Sequence, residues 1–185
     1  MDTRERILNA ATIIFRRKGF EGAGLNEILK ASAATKGSLY HHFPAGKADL
    51  AAAAAHNAEE QMCRFIDRCF TETDDWREAV RTMCFRLAKQ FELADATEGC
   101  PVAAVLLDGP ADPVRRALAH KIYQGWQSQA AGHLRRLNAD QTGKYDAAEM
   151  ADTVMTMLQG AWIMARAGGN AAPIRAIPRK LPPPF

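Results

Sequence analysis

The residues best suited to chemistry lie close together in the run Ser32–Phe43, Ser-Ala-Ala-Thr-Lys-Gly-Ser-Leu-Tyr-His-His-Phe. Lys36 and Tyr40 are four apart and share a helical face, with Gly37, Ser38 and His41 nearby. A cation, hydroxyls, an imidazole and bare backbone are the groups that meet DNA phosphates and base edges. Leu39 and Phe43, also four apart, form an apolar stripe on another face. Thr35 suits the N-cap, where its hydroxyl accepts from a free N–H of the first turn. After Pro44-Ala45-Gly46, Lys47 opens a further helical pattern, where its ammonium and free backbone N–H groups favour phosphate.

A short polar helix is more often a solvated face than a binding site, so its neighbours decide. Leu25–Ala31 reads as another short amphipathic helix just upstream. Two short helices joined by a tight turn, the second with a polar face, form the helix-turn-helix pattern.

A second set comprises Met62, Phe65, Met83, Phe85, Tyr123, Trp126 and Trp162. Core packing is the ordinary role of such residues. The functional alternative is a cavity between helices, where Met and aromatic walls adapt to apolar ligands. Tyr123 and Trp126 carry polar tips that suit a cavity wall, and Asp108 or Glu92 would counter a cationic ligand. His56, His120, His133, Cys100 and Asp108 can be assembled on paper into a catalytic group. No nucleophile elbow, phosphate loop or metal motif accompanies them, so neither an enzyme, a cofactor nor a bound metal is expected. Cys63, Cys69, Cys84 and Cys100 show no CxxC spacing and read mainly as small buried hydrophobes. Cys100, at a helix start before Pro101, leaves a thiol redox sensor as the alternative.

The elements that must position these groups are helical throughout. Thr3–Lys18 carries Ile7, Leu8, Ala11, Ile14 and Phe15 at helical spacing, with Thr3 as cap and Gly19 as terminator. Long patterns follow from Lys47 to about Phe70, from Trp76 to about Phe91, and from Pro113 to about Leu137. Gly99–Asp108 holds a short helix, and Asn138–Tyr145 a polar loop. Asp146–Ala167 is apolar nearly all round, which suits burial on two sides. Its stripe of Ala151, Val154, Met155, Leu158, Trp162 and Ala165 is therefore a candidate dimer interface. Pro178 and Pro182–Pro184 end regular structure.

At 185 residues with 48% hydrophobic and 24% charged residues, the chain is an ordinary globular one with room for a substantial core. No window is long and apolar enough to span a bilayer, and the charged start is no signal peptide, so a cytoplasmic protein is expected. The net charge of +3 is unevenly placed. Residues 1–50 hold eight Lys/Arg against five acids, and the remainder sixteen of each. The excess lies on the helix-turn-helix part, a sign that suits a polyanionic partner.

Arg4–Leu50 resembles the DNA-binding domain of the TetR family of bacterial transcriptional regulators. The resemblance is carried by Lys-Gly-Ser-Leu-Tyr-His-His-Phe followed by Pro44, Gly46 and Lys47. Gly99-Cys100-Pro101-Val102 and the general layout are similar to its branch of multidrug-responsive repressors typified by LmrA and QacR. The resemblance implies an all-α chain, with a three-helix DNA-binding domain over 1–46 and a helical ligand-binding and dimerisation domain over 47–185. It further implies a homodimeric repressor on a near-palindromic double-stranded operator, released by a small apolar or aromatic molecule, cationic ones included. Lys36 would then meet a base edge or phosphate, Gly37 would allow close backbone approach, and Tyr40 and His41 would take phosphates or a thymine methyl. Thr35 and Ser38 would contact backbone or base edges, and Lys47 phosphate. Two positions depart from the family pattern: Ala23-Gly24 replaces a Thr-Ser that caps and touches phosphate, and Ala33 replaces a turn glycine.

Overall fold

The computed structural model describes residues 2–137 and 146–181, which form nine α-helices, a short 3-10 turn and no strand. The helices are α1 (Thr3–Gly22), α2 (Leu25–Ser32), α3 (Lys36–His42), α4 (Lys47–Thr71), α5 (Trp76–Leu93), α6 (Pro101–Leu106), α7 (Pro113–Arg136), α8 (Ala147–Gly168) and α9 (Ala172–Arg175). The expected loop at Asn138–Tyr145 and the prolines from Pro182 lie outside the described residues. Two compact units are present. The described residues up to Glu60 join Gly99–Ile122 in one, and Gln61–Glu98 join those from Tyr123 onward in the other. This grouping differs from a division at Lys47, because α6 packs on α1 and the Gly99 N–H donates to the Arg16 carbonyl at 3.0 Å.

In the first unit α1 is capped by Asp2 rather than Thr3. The Asp2 carboxylate accepts the Glu5 N–H at 2.7 Å, and the Glu5 carboxylate accepts the Asp2 N–H at 3.1 Å, a reciprocal capping box. Ile7, Ala11, Ile14 and Phe15 bury the inner stripe of α1. Gly19, at φ 73°, breaks the helix, which resumes for one tight turn to Gly22. Ile28 of α2, Leu39 and Phe43 around α3, and Leu50 of α4 complete the core. Each large side chain so buried contributes roughly 1.5–3 kcal/mol relative to exposure.

The turn from α2 to α3 runs through Ala33 in the left-handed region, at φ 49° and ψ 39°. The alanine costs about 1–2 kcal/mol there relative to a right-handed conformation. The turn persists because Ala34 N–H reaches Leu29 O at 3.1 Å, Ser32 Oγ donates to Ile28 O at 2.8 Å, and Arg6 Nε donates to Ser32 O at 3.3 Å.

In the second unit Asp75 caps α5, and Asp146 caps α8 by accepting from Ala148 and Glu149 N–H at 2.7 and 3.0 Å. Gly169, at φ 64°, closes α8. Polar ties join the second half of α4 to α7. The Asp67 carboxylate accepts from Gln129 Nε2 and pairs with His133 Nε2, each at 2.7 Å, and Arg136 donates to Phe70 O at 2.6 Å. Hydrogen bonds from His133 and Gln129 hold the Asp67 carboxyl below its ordinary range. Pro178 does not end regular structure, because its fixed φ suits the 3-10 turn Ile177–Lys180 that contains it.

Candidate nucleic-acid interface

Helix α3 is short, so its setting rests on a cap and two anchors. Thr35 Oγ1 accepts the Ser38 N–H at 3.1 Å and donates its own hydroxyl to Ser38 Oγ at 3.1 Å. Leu39 is wholly buried and Phe43 nearly so, fixing one side of the helix in the first unit's core. The remaining directions face solvent. Thr35, Lys36, Gly37, Tyr40 and His41 are exposed, and Ser38 is half-buried. The Tyr40 ring leans over Gly46, where an added Cβ would stand 3.3 Å from it at φ 63°. The structure thus brings the six α3 candidates onto one accessible patch.

Lys47 at the head of α4 is half-buried, with Nζ donating to Glu21 O at 3.2 Å and standing 4.8 Å from the Phe20 ring centroid. At the N-terminus of α2, Gly24 is the cap and makes no side-chain hydrogen bond, as the Ala23-Gly24 departure implied. Arg4 escaped the sequence reading. Its guanidinium stands 5.4 Å from the Phe43 ring centroid and adds a cation beside the end of α3. Only its place in an amphipathic α1 could have signalled this.

The comparisons with known proteins match this geometry. A family model described as bacterial regulatory proteins of the tetR family covers residues 7–54. A second, the LmrA/YxaF-like C-terminal domain of transcriptional regulators, covers residues 77–180. The HTH-type transcriptional regulator LmrA of Bacillus subtilis is 33% identical over 98% of this chain and 95% of its own. The chain belongs to the TetR family. It is a DNA-binding transcriptional regulator and not an enzyme. A regulatory protein TetR from Rhodobacter sphaeroides shares the fold at a TM-score of 0.85 and 23% identity, over 95% of each chain. CifR, a TetR family regulator solved with 26bp double-strand operator DNA, superposes at a TM-score of 0.80 with 23% identity, over 95% of this chain and 93% of that one.

The candidate ligand residues of this TetR-family regulator are only partly gathered. Met62, Phe65, Met83, Tyr123, Trp126 and Trp162 belong to the second unit. Trp126 and Met83 are 0% and 1% exposed, and the Tyr123 ring meets Trp126 edge-on at 5.4 Å. Trp162 Nε1 donates to the Glu98 carbonyl at 3.0 Å. Phe85 is corrected: it is 58% exposed and lines no interior wall. Asp108 is also corrected. It lies in the first unit, with its carboxylate accepting the Glu21 N–H at 3.0 Å. Glu92 is paired with Arg175, whose second nitrogen stands 2.7 Å away, so its charge is already met within the chain.

The dimer stripe is corrected in the same way. Ala151, Val154, Met155, Leu158, Trp162 and Ala165 are all buried within this chain, so these side chains belong to its own core. The face of α8 left to solvent carries Gly160, Ile163, Met164 and Ala167, a second stripe at helical spacing. Ile163 is 71% and Met164 64% exposed. Both stripes are apolar, so periodicity alone had no means of choosing between them. Among the described residues no helix is long and apolar enough to cross a membrane, and no group of three or more His, Cys, Asp or Glu has the arrangement of a metal site.

Proposed function

We propose that this regulator is a homodimeric repressor that holds a near-palindromic operator through α3 and is released by a small apolar or aromatic effector. The observation that carries the DNA part is the division of α3, with Leu39 and Phe43 anchored inside and Lys36, Tyr40 and His41 presented outside. Thr35, Gly37, Ser38 and Lys47 complete the DNA contacts. Residues 1–46 serve as the DNA-binding part, and 47–185 as the effector and dimerisation part.

Dimerisation is assigned to the exposed α8 stripe of Gly160, Ile163, Met164 and Ala167. Two large exposed apolar side chains one residue apart, beside two small residues, suit a helix from a second copy. The effector site is assigned to the second unit, to the Tyr123–Trp126 pair together with Met62, Phe65, Met83 and Trp162. Its adaptable walls favour apolar or aromatic molecules, and an effector acts only through its different affinity for the two states. The thiol-sensing alternative draws no support. Burial pushes the Cys84 thiol up to about 12 and raises Cys69, and Cys100 is only 7% exposed.

The test is a screen of apolar and aromatic compounds for release of the protein from its selected duplex. Compounds that release the wild type should lose potency on Trp126→Phe while ligand-free DNA affinity stays within twofold. Equal potency on both proteins contradicts the effector site.

A further inference from the structure

The C-terminal turn of α1 is gripped from two directions, and one residue stands between them. The Glu21 N–H donates to Asp108 Oδ2 at 3.0 Å, and the Glu21 carbonyl accepts from Lys47 Nζ at 3.2 Å. A single residue thus joins a carboxylate on the segment after α6 to the lysine at the head of α4.

The fit is close on both sides. An added Cβ at Gly19 would overlap the Asp108 carboxylate, and one at Gly109 would stand 2.5 Å from Glu21 Cγ. Both glycines are in the left-handed region, at φ 73° and 80°. Arg115 then fixes the segment that carries Asp108, donating to Asp108 O at 3.2 Å and Pro110 O at 3.3 Å. Its guanidinium stands 4.2 Å from the Phe20 ring centroid, and Lys47 Nζ stands 4.8 Å from the same ring.

We infer that Asp108 is a positioning residue for DNA binding, holding Glu21 so that its carbonyl and the Phe20 ring aim Lys47 at the phosphate backbone. The inference rests on the reading of Lys47 as a phosphate contact. A long lysine side chain loses rotamer freedom when it binds. A carbonyl and a ring held in place on one side restrict it beforehand, so less is lost on the DNA.

The test is a double-mutant cycle on Lys47→Ala and Asp108→Ala, read by titration of a random-sequence duplex across a salt series. Lys47→Ala should weaken binding about 3- to 10-fold and lower the salt slope by about one, as for a lost phosphate contact. Asp108→Ala should weaken binding about 3-fold in the wild-type background and less than 1.5-fold in Lys47→Ala, the non-additivity of residues acting as a unit. Asp108→Asn keeps an acceptor for the Glu21 N–H and should stay within about 1.5-fold of wild type. If Asp108→Ala does not fold, Asp108→Leu keeps the bulk beside Gly19, removes the acceptor and takes its place in the cycle. Additive losses, a silent Asp108→Ala, or an Asp108→Asn as weak as Asp108→Ala would overturn the positioning role while leaving Lys47 as a contact. A Lys47→Ala with wild-type affinity and slope would sink the Lys47 reading and the inference together.

Discussion

At the scale of single residues, α3 separates two jobs that mutation can pull apart. Lys36 is exposed and Leu39 wholly buried, although only three positions separate them. Lys36→Ala should therefore weaken DNA binding by about 1–3 kcal/mol, with relaxed preference at one position, if it meets a base edge. Its melting temperature should hardly move. Leu39→Ala should lose roughly 2–5 kcal/mol of stability and lose DNA only through unfolding. Paired melts and DNA titrations decide, and a stable Leu39→Ala that no longer binds DNA would reverse the two faces. Asp67 gives a pH test elsewhere. His133 and Gln129 depress its folded-state pKa, so its stabilisation is full above the ordinary carboxyl range and fades as pH falls through the folded value. Asp67→Asn should melt below the wild type at neutral pH, and the gap should close below about pH 4, near the unperturbed Asp value. A gap that persists undiminished at pH 2 contradicts the assignment.

At the scale of elements, most helices were legible because caps and periodicity agreed. Thr35, Asp75 and Asp146 each precede a clear apolar stripe and each accepts an N–H of the first turn. The start of α1 misled by one residue, since Asp2 and Thr3 are both cap formers and only the reciprocal Glu5 bond selects Asp2. The strained turn at Ala33 was legible as a departure and is present at φ 49°. Ala33→Gly should stabilise the protein by about 0.5–1 kcal/mol, the left-handed penalty less the greater freedom of glycine in the unfolded chain. Chemical denaturation measures this, and a loss of stability would contradict the strain. The orientation of α8 was not legible. Leu158→Ala should behave as a core truncation costing roughly 2–5 kcal/mol. Met164→Arg, at a position 64% exposed, should fold normally and yield monomers by light scattering. A dimeric Met164→Arg would move the interface elsewhere.

At the scale of the whole molecule, the chemistry of the site was legible further than its partners. Lys36 and Tyr40 share α3, because a local helix and its Thr35 cap place both, whereas Lys47 heads α4 and is held by the Glu21 carbonyl. Asp108 was misread because its role comes from a residue 87 positions away in sequence, Glu21, and no periodicity carries such a contact. The proposed dimer would set two α3 helices into successive major grooves, with half-sites about 34–36 Å apart or a multiple of this. Ligand binding would shift the population between states with right and wrong separation. Selection of duplexes from a random pool, with the mass of the resulting complex measured, tests the central claim most directly. Enrichment of one two-fold-symmetric sequence, bound by two or a multiple of two chains, is the predicted result. Failure to enrich any sequence over the starting pool, or enrichment of an asymmetric site held by a single chain, would contradict it.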